Sequence, residues 1–236
     1  MRRFFICVAV MLAGALGASA QDWSVTVGTE AMTQYLWRGQ ALSESPTIVP
    51  TVTLGYEKDD FSFELGYCSI TELQKNHYLE MDAWAAVTFK GITFMAQNYG
   101  CGNNLTIGGY DDQLELSLSY ELPFEFLPAT FSWNTFVLGD VNEDDTRAFS
   151  SYAEISLPYQ FDNFGIVATV GASPLRSDNV YGNESFALTN LSLMTGYNFS
   201  IGENCELPLF AQYTYNPLFK QHFVMLGCSI SYTFGL

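Results

Sequence analysis

The chain closes on Phe223-Val-Met-Leu-Gly-Cys-Ser-Ile-Ser-Tyr-Thr-Phe234. Every second residue from Val224 gives Leu226, Cys228, Ile230, Tyr232 and Phe234, and the alternate set gives Met225, Gly227, Ser229, Ser231 and Thr233. Successive side chains of a strand point to opposite faces, so this stretch predicts a strand with one oily face and one small, polar face. The same period recurs upstream. Leu114, Leu116, Leu118, Tyr120 and Leu122 alternate with Glu115, Ser117, Ser119 and Glu121, and Ala153, Ile155 and Leu157 with Tyr152, Glu154 and Ser156. Leu79, Met81, Ala83, Ala85 and Val87 alternate in the same way with Glu80, Asp82, Trp84 and Thr88.

Charged residues make up 14% of the chain and aromatics 16%, whereas soluble domains average about 25% charged residues. A soluble β-protein covers its outer face with Lys, Glu and Thr; here Ser, Thr, Gly, Asn and Gln stand opposite the apolar positions. A wall between lipid and water has this composition. Charge on a lipid-facing strand position costs several kcal/mol at mid-membrane, so the carboxylates are expected to point inward and the lumen to be acidic.

At the other end, Met1-Arg2-Arg3 precedes an apolar run from Phe4 to about Gly17 and then Ala18-Ser19-Ala20. This is the layout of a secretory signal peptide, with cleavage expected after Ala20. The run is shorter than the roughly 20 residues a spanning helix needs. Without Arg2 and Arg3 the chain holds 7 basic and 25 acidic residues, a formal charge of −18, which makes nucleic acid an unfavourable partner. The domain reading is a signal peptide over 1–20 and one β-domain over 21–236.

Strands are expected at 23–37, 48–56, 61–70, 78–89, 92–98, 113–122, 130–138, 149–159, 165–172, 186–199, 207–216 and 223–234. The connections alternate short and long, as short periplasmic turns and longer external loops do in bacterial barrels, except that Pro123 to Pro128, with Phe124 and Phe126, is a longer turn on the short side and Pro217 to Lys220 a short loop on the long side. The fold class expected is all-β: a transmembrane antiparallel up-and-down β-barrel of about 12 strands, in the outer membrane of a Gram-negative bacterium. The terminal strand resembles the last strand of outer-membrane barrels, and that resemblance implies recognition by the barrel-assembly machinery through Tyr232 and Phe234.

Six of the seven basic residues, Lys58, Lys75, Lys90, Arg147, Arg176 and Lys220, fall in or beside turns. Arg38 alone is expected on a strand, sharing parity with Glu30 and Gln34 and acting as counter-ion to an acidic cluster drawn from Glu30, Glu64, Glu80 and Asp82. With Glu115 and Glu154 these residues form the candidate lumen set. An ion pair that braces the wall and a constriction that filters solutes both use such groups.

The stretch Tyr35-Leu36-Trp37-Arg38-Gly39-Gln40, with Pro46 and the 51–56 strand after it, resembles the opening of the TorF-type porin family. Gly66-Tyr67 and Glu80-x-Asp82 continue the resemblance over about the first hundred residues. It implies a porin-like outer-membrane channel, and with the acidic lumen the expected cargo is small hydrophilic solutes, cations preferred. Outer-membrane lipid is the other expected partner.

An enzyme acting on lipid is the rival reading, but a serine hydrolase needs a His near a Ser, and only His77 and His222 exist, both expected at the external rim. A non-conducting structural or adhesive barrel is the third. Neither Cys-x-x-Cys nor a Cys/His metal spacing occurs, so no metal or cofactor is expected. Of the mature cysteines Cys68, Cys101, Cys205 and Cys228, the first two are the pair best placed for a disulfide after export.

Overall fold

The structure, a computed structural model, describes residues 22–74, 78–101, 112–123, 128–142, 146–201 and 205–236. The candidate signal peptide, His77, Lys75 and the loop aromatics Phe124 and Phe126 lie outside them. Twelve antiparallel strands close into a barrel: β1 (Trp23–Met32), β4 (Thr47–Lys58), β5 (Phe61–Glu72), β6 (Leu79–Phe89), β7 (Ile92–Cys101), β8 (Asp112–Leu122), β9 (Ala129–Leu138), β10 (Ser151–Phe161), β11 (Phe164–Ser173), β12 (Ala187–Ser200), β13 (Cys205–Asn216) and β14 (Gln221–Gly235). Sequential strands pair with one another, and β14 pairs back onto β1 with Val25 opposite Phe234 and Met32 opposite Gly227. Two further strands, β2 (Tyr35–Trp37) and β3 (Gln40–Ser43), pair only with each other.

Register carries the alternation around the whole barrel. Residues directly opposite in an antiparallel pair share a face, so Val27, Val52 and Tyr232 stand on one side with Leu65, Leu118, Ile155 and Leu226. These are the exposed apolar residues: Val224 and Leu226 are 62% and 54% accessible. The opposite face points into the lumen, and there Glu115, Asn134, Thr214 and Asn216 are buried.

The start of β1 and the end of β14 share one end with the tight β4–β5, β6–β7 and β10–β11 turns, where Lys90-Gly91 has positive φ as a tight hairpin requires, whereas the short 217–220 connection between β13 and β14 lies at the other end and breaks the alternation. Exposed aromatics ring the outside near that end. Tyr197 and Phe199 have ring centroids 4.7 Å apart, as do Tyr232 and Phe234, and Phe89, Phe161 and Phe164 continue the girdle. Amphipathic rings collect at the boundary between hydrocarbon and water.

The strand expected over 23–37 is not continuous. β1 stops at Met32, where the Thr33 amide donates to the Leu226 carbonyl at 2.9 Å and the Thr33 hydroxyl accepts from the Leu226 amide at 3.1 Å. The chain then turns into the lumen as the β2–β3 hairpin. The pair best placed for a disulfide, Cys68 with Cys101, does not form one: Cys68, with Cys205 and Cys228, is a free thiol. Cys68 packs instead against an apolar lumen cluster of Met32, Val49, Ile70 and Met225, which the hairpin covers with Tyr35 and Leu36.

The register makes a sharp prediction for β8. Leu118→Lys, on the outer face, should cost about 2–4 kcal/mol of stability in a bilayer, whereas Ser119→Lys, one residue on and facing inward, should cost little. Urea unfolding of barrels folded into lipid vesicles measures both, and equal losses would disprove the assignment of faces.

Candidate functional site

The hairpin turns at Arg38-Gly39, where both residues have positive φ, 48° and 86°. A two-residue turn of this kind favours Asn-Gly or Gly-Gly. Arg in the left-handed region costs roughly 1–2 kcal/mol, so something in the lumen must hold it there. Gly39 is required by space as well, since a Cβ on it would lie 1.9 Å from the Thr189 carbonyl oxygen of β12.

Arg38 is held from several sides. Its guanidinium donates through Nη1 to Glu115 Oε2 at 2.5 Å and through Nη2 to Glu115 Oε1 at 2.7 Å, a bidentate pair with a residue on β8. Nη1 also donates to the Tyr181 hydroxyl at 2.8 Å. The ring centroids of Trp37 and Tyr152 lie 4.6 and 4.8 Å from the guanidinium carbon, so the cation sits on two aromatic faces. The Arg38 side chain is 12% accessible and that of Glu115 1%. Hydroxyls of Tyr99 and Ser117 donate to the same Glu115 oxygen at 3.2 and 3.4 Å. Water has been replaced around the carboxylate by fixed donors, the condition under which a buried charge is tolerated.

Backbone contacts lock the rest of the tip. Asn216 of β13 donates its amide to the Gly39 carbonyl at 3.0 Å, and Gln40 donates to the Val180 carbonyl at 3.2 Å in the loop between β11 and β12. Trp37 stacks on Tyr181 at 5.7 Å with 7° between planes and meets Tyr99 edge-on at 6.1 Å. The hairpin thus leaves the wall between β1 and β4 and reaches contacts on β8, β12 and β13.

The candidate residues separate into distinct settings. All six carboxylates face inward by register, but only Glu115 meets Arg38; Glu30, Glu64, Glu80 and Asp82 are not its counter-ions, because leaving the β1 wall carries Arg38 away from them. Glu64 accepts from Trp84 Nε1 at 2.6 Å. Glu80 accepts from the Tyr78 hydroxyl, and Asp82 from Gln97 at 3.0 Å. Glu154 accepts from the Tyr152 hydroxyl at 2.5 Å and from Ser156 at 3.0 Å. Glu30 lines a cavity beneath the hairpin. Among the described residues no Lys or Arg stands on the inward face of a barrel strand. No group of three or more His, Cys, Asp or Glu is arranged to hold a metal ion among them.

Tyr152 and Tyr181 belong to the candidate site without being expected from the sequence: the strand period places Tyr152 on the inward face and gives it no role, and Tyr181 lies in a loop with no periodicity to mark it. An unusual Arg-Gly turn beside a Trp was the signal available. At the rim, His222 meets the Tyr213 hydroxyl through Nδ1 at 2.7 Å and stacks on Tyr215 at 4.5 Å.

No family model matches the chain, and no curated protein matches it in sequence. Solved structures do match in shape. The COG4313 outer membrane channel from Pseudomonas putida F1 aligns over 90% of this chain and 94% of its own, with a TM-score of 0.52 at 12% identity. The P. putida toluene transporter TodX aligns over 95% and 92%, at 0.47 and 10%. The translocator domain of the autotransporter NalP from Neisseria meningitidis aligns over 96% and 92%, at 0.41 and 12%. The fold is that of the outer-membrane β-barrels.

Removing one partner of a buried ion pair leaves a bare charge, at a cost of about 3–5 kcal/mol. Arg38→Ala should therefore undock the hairpin while the twelve-stranded wall remains, and Arg38→Met with Glu115→Leu should restore part of the docking. Hydrogen exchange of the Trp37 and Gln40 amides, the pair that closes the turn, reads this directly. Unchanged protection in Arg38→Ala would show that the ion pair does not hold the tip.

Proposed function

We propose that the protein is a porin-like outer-membrane channel whose path is narrowed by the β2–β3 hairpin and whose acidic lining favours small hydrophilic cations. The observation that carries this reading is the hairpin itself, a segment folded into the lumen and tied to the far wall by Arg38 and Glu115. A barrel of eight strands is filled by its own side chains, whereas twelve leave a space that this chain fills with a separate element.

Charge supports the cation preference. Arg38 is committed to Glu115, and among the described residues no Lys or Arg stands on a barrel strand facing Glu30, Glu64, Asp82 and Glu154, which point inward. Rings of carboxylates in a narrow pore favour cations. The outer apolar band and the aromatic girdle support residence in a bilayer, and the resemblance of the 35–40 stretch to TorF-type porins supports the outer membrane. Tyr232 and Phe234, adjacent on the outer face of the closing strand, are where the assembly machinery would engage.

A second reading, a barrel that does not conduct, is favoured by the close packing at the tip, where Tyr152 and Tyr181 are each 1% accessible. The two readings differ in planar bilayers. The intact barrel should give small, cation-selective currents under a salt gradient. Replacing residues 34–44 with a short Gly-Ser turn should enlarge the conductance severalfold, and Glu64→Gln with Glu154→Gln should lower the cation selectivity of that variant. Silence from both the intact and the shortened barrel, each shown to be folded, would establish the non-conducting reading.

A further inference from the structure

Beneath the hairpin the lumen opens into a cavity of about 690 Å³. Its shape follows from one row of directly opposed residues across five neighbouring strands: Gly165 pairs with Gly196, Gly196 with Phe210, Phe210 with Gly227, and Gly227 with Met32. Three of these five inward positions have no side chain. The Phe210 ring is laid against the wall at Gly227, where a Cβ would come within 2.3 Å of it. One side of the barrel is thereby hollowed at this level.

The next row toward the hairpin, Val167, Met194, Gln212 and Met225, is largely apolar, and Leu36 and Tyr35 of β2 form the roof. Toward the turn end lie Gln160, Asn163 and Asn198, and beside them Glu30, one row below Met32 and paired with Ser229. Among the described residues Glu30 is the sole acidic or basic residue of the lining. Pockets of several hundred cubic ångströms that combine apolar walls with a few placed polar groups are the usual form of a small-molecule site.

We propose that this cavity binds a lipophilic organic cation, its apolar body against Met194, Phe210 and Met225 and its charge at Glu30. Thioethers and an aromatic face are polarisable surfaces that adapt to irregular apolar ligands and favour a cation nearby. Among the described residues the cavity offers an anion no cationic partner, because Arg38 already holds Glu115 in a bidentate pair. The ligand class goes beyond the small hydrophilic solutes of the channel reading. It rests on that reading only in giving the turn end access to water. Binding is measured at equilibrium and conductance separately, so either can fail without the other.

The test is isothermal titration of tetraphenylphosphonium into the folded barrel in lipid nanodiscs, with empty nanodiscs subtracted and triphenylphosphine oxide as the neutral comparison. Saturable binding of one cation per barrel is expected. Glu30→Gln should weaken the cation about fivefold, the upper range for a solvent-accessible charge pair, and leave the neutral compound unchanged. Met194→Trp should abolish binding of both by filling the cavity, with Val167→Phe as a second filling variant should the first not fold. No saturable binding above the nanodisc background, unchanged cation affinity in Glu30→Gln, or wild-type binding by a folded filling variant would each overturn the proposal.

Discussion

The structure depends first on closure. In hydrocarbon every backbone amide and carbonyl must find a partner within the protein, and a sheet meets that demand only by pairing its last strand with its first. The β1–β14 pairing does this over nine residue pairs. The periodicity of the sequence follows from the same constraint, since a closed single-layer wall has one face for lipid and one for the lumen along every strand.

Closure creates the second problem, which is the interior. Twelve strands enclose more space than inward Ser, Thr and Gly can fill, and the chain fills it with the connection between β1 and β4. That connection carries no continuous apolar face of its own. Its position comes from a few strong contacts: a bidentate ion pair screened from water, two aromatic faces on the guanidinium, and amides of Asn216 and Gln40 on tip and loop carbonyls. Arg38 tolerates an unfavourable backbone angle because these contacts together outweigh it. Apolar packing of Tyr35 and Leu36 on Met32 and Met225 anchors the base of the same element.

The lumen is therefore divided. Toward the loop end it is aromatic and densely bonded, around Trp37, Tyr99, Tyr152 and Tyr181. Toward the turn end it is open, apolar above and polar at the mouth. One hairpin produces both halves: its tip provides the closely packed region and its underside roofs the cavity.

The wall can be read from the chain alone. A strand's side-chain period is two whatever its neighbours are, so the outward and inward sets of β6, β8, β10 and β14 were legible residue by residue, as were the strand number and the alternation of short and long connections. The inward direction of Glu30, Glu64, Glu80, Asp82, Glu115 and Glu154 followed from the same rule. Only the tertiary structure decided the partner of Arg38. Local parity extended β1 to Trp37 and placed Arg38 beside Glu30, but the Thr33 contacts to Leu226 end that strand, and Glu115 lies 77 positions away on a wall that exists only once the barrel has closed. The cavity is of the same kind. Gly165, Gly196 and Gly227 are scattered in the chain and become one hollow only when register sets them in a row. Alternation is a property of each strand alone, whereas the ion pair and the hollow are properties of strands brought together, and no local pattern encodes them.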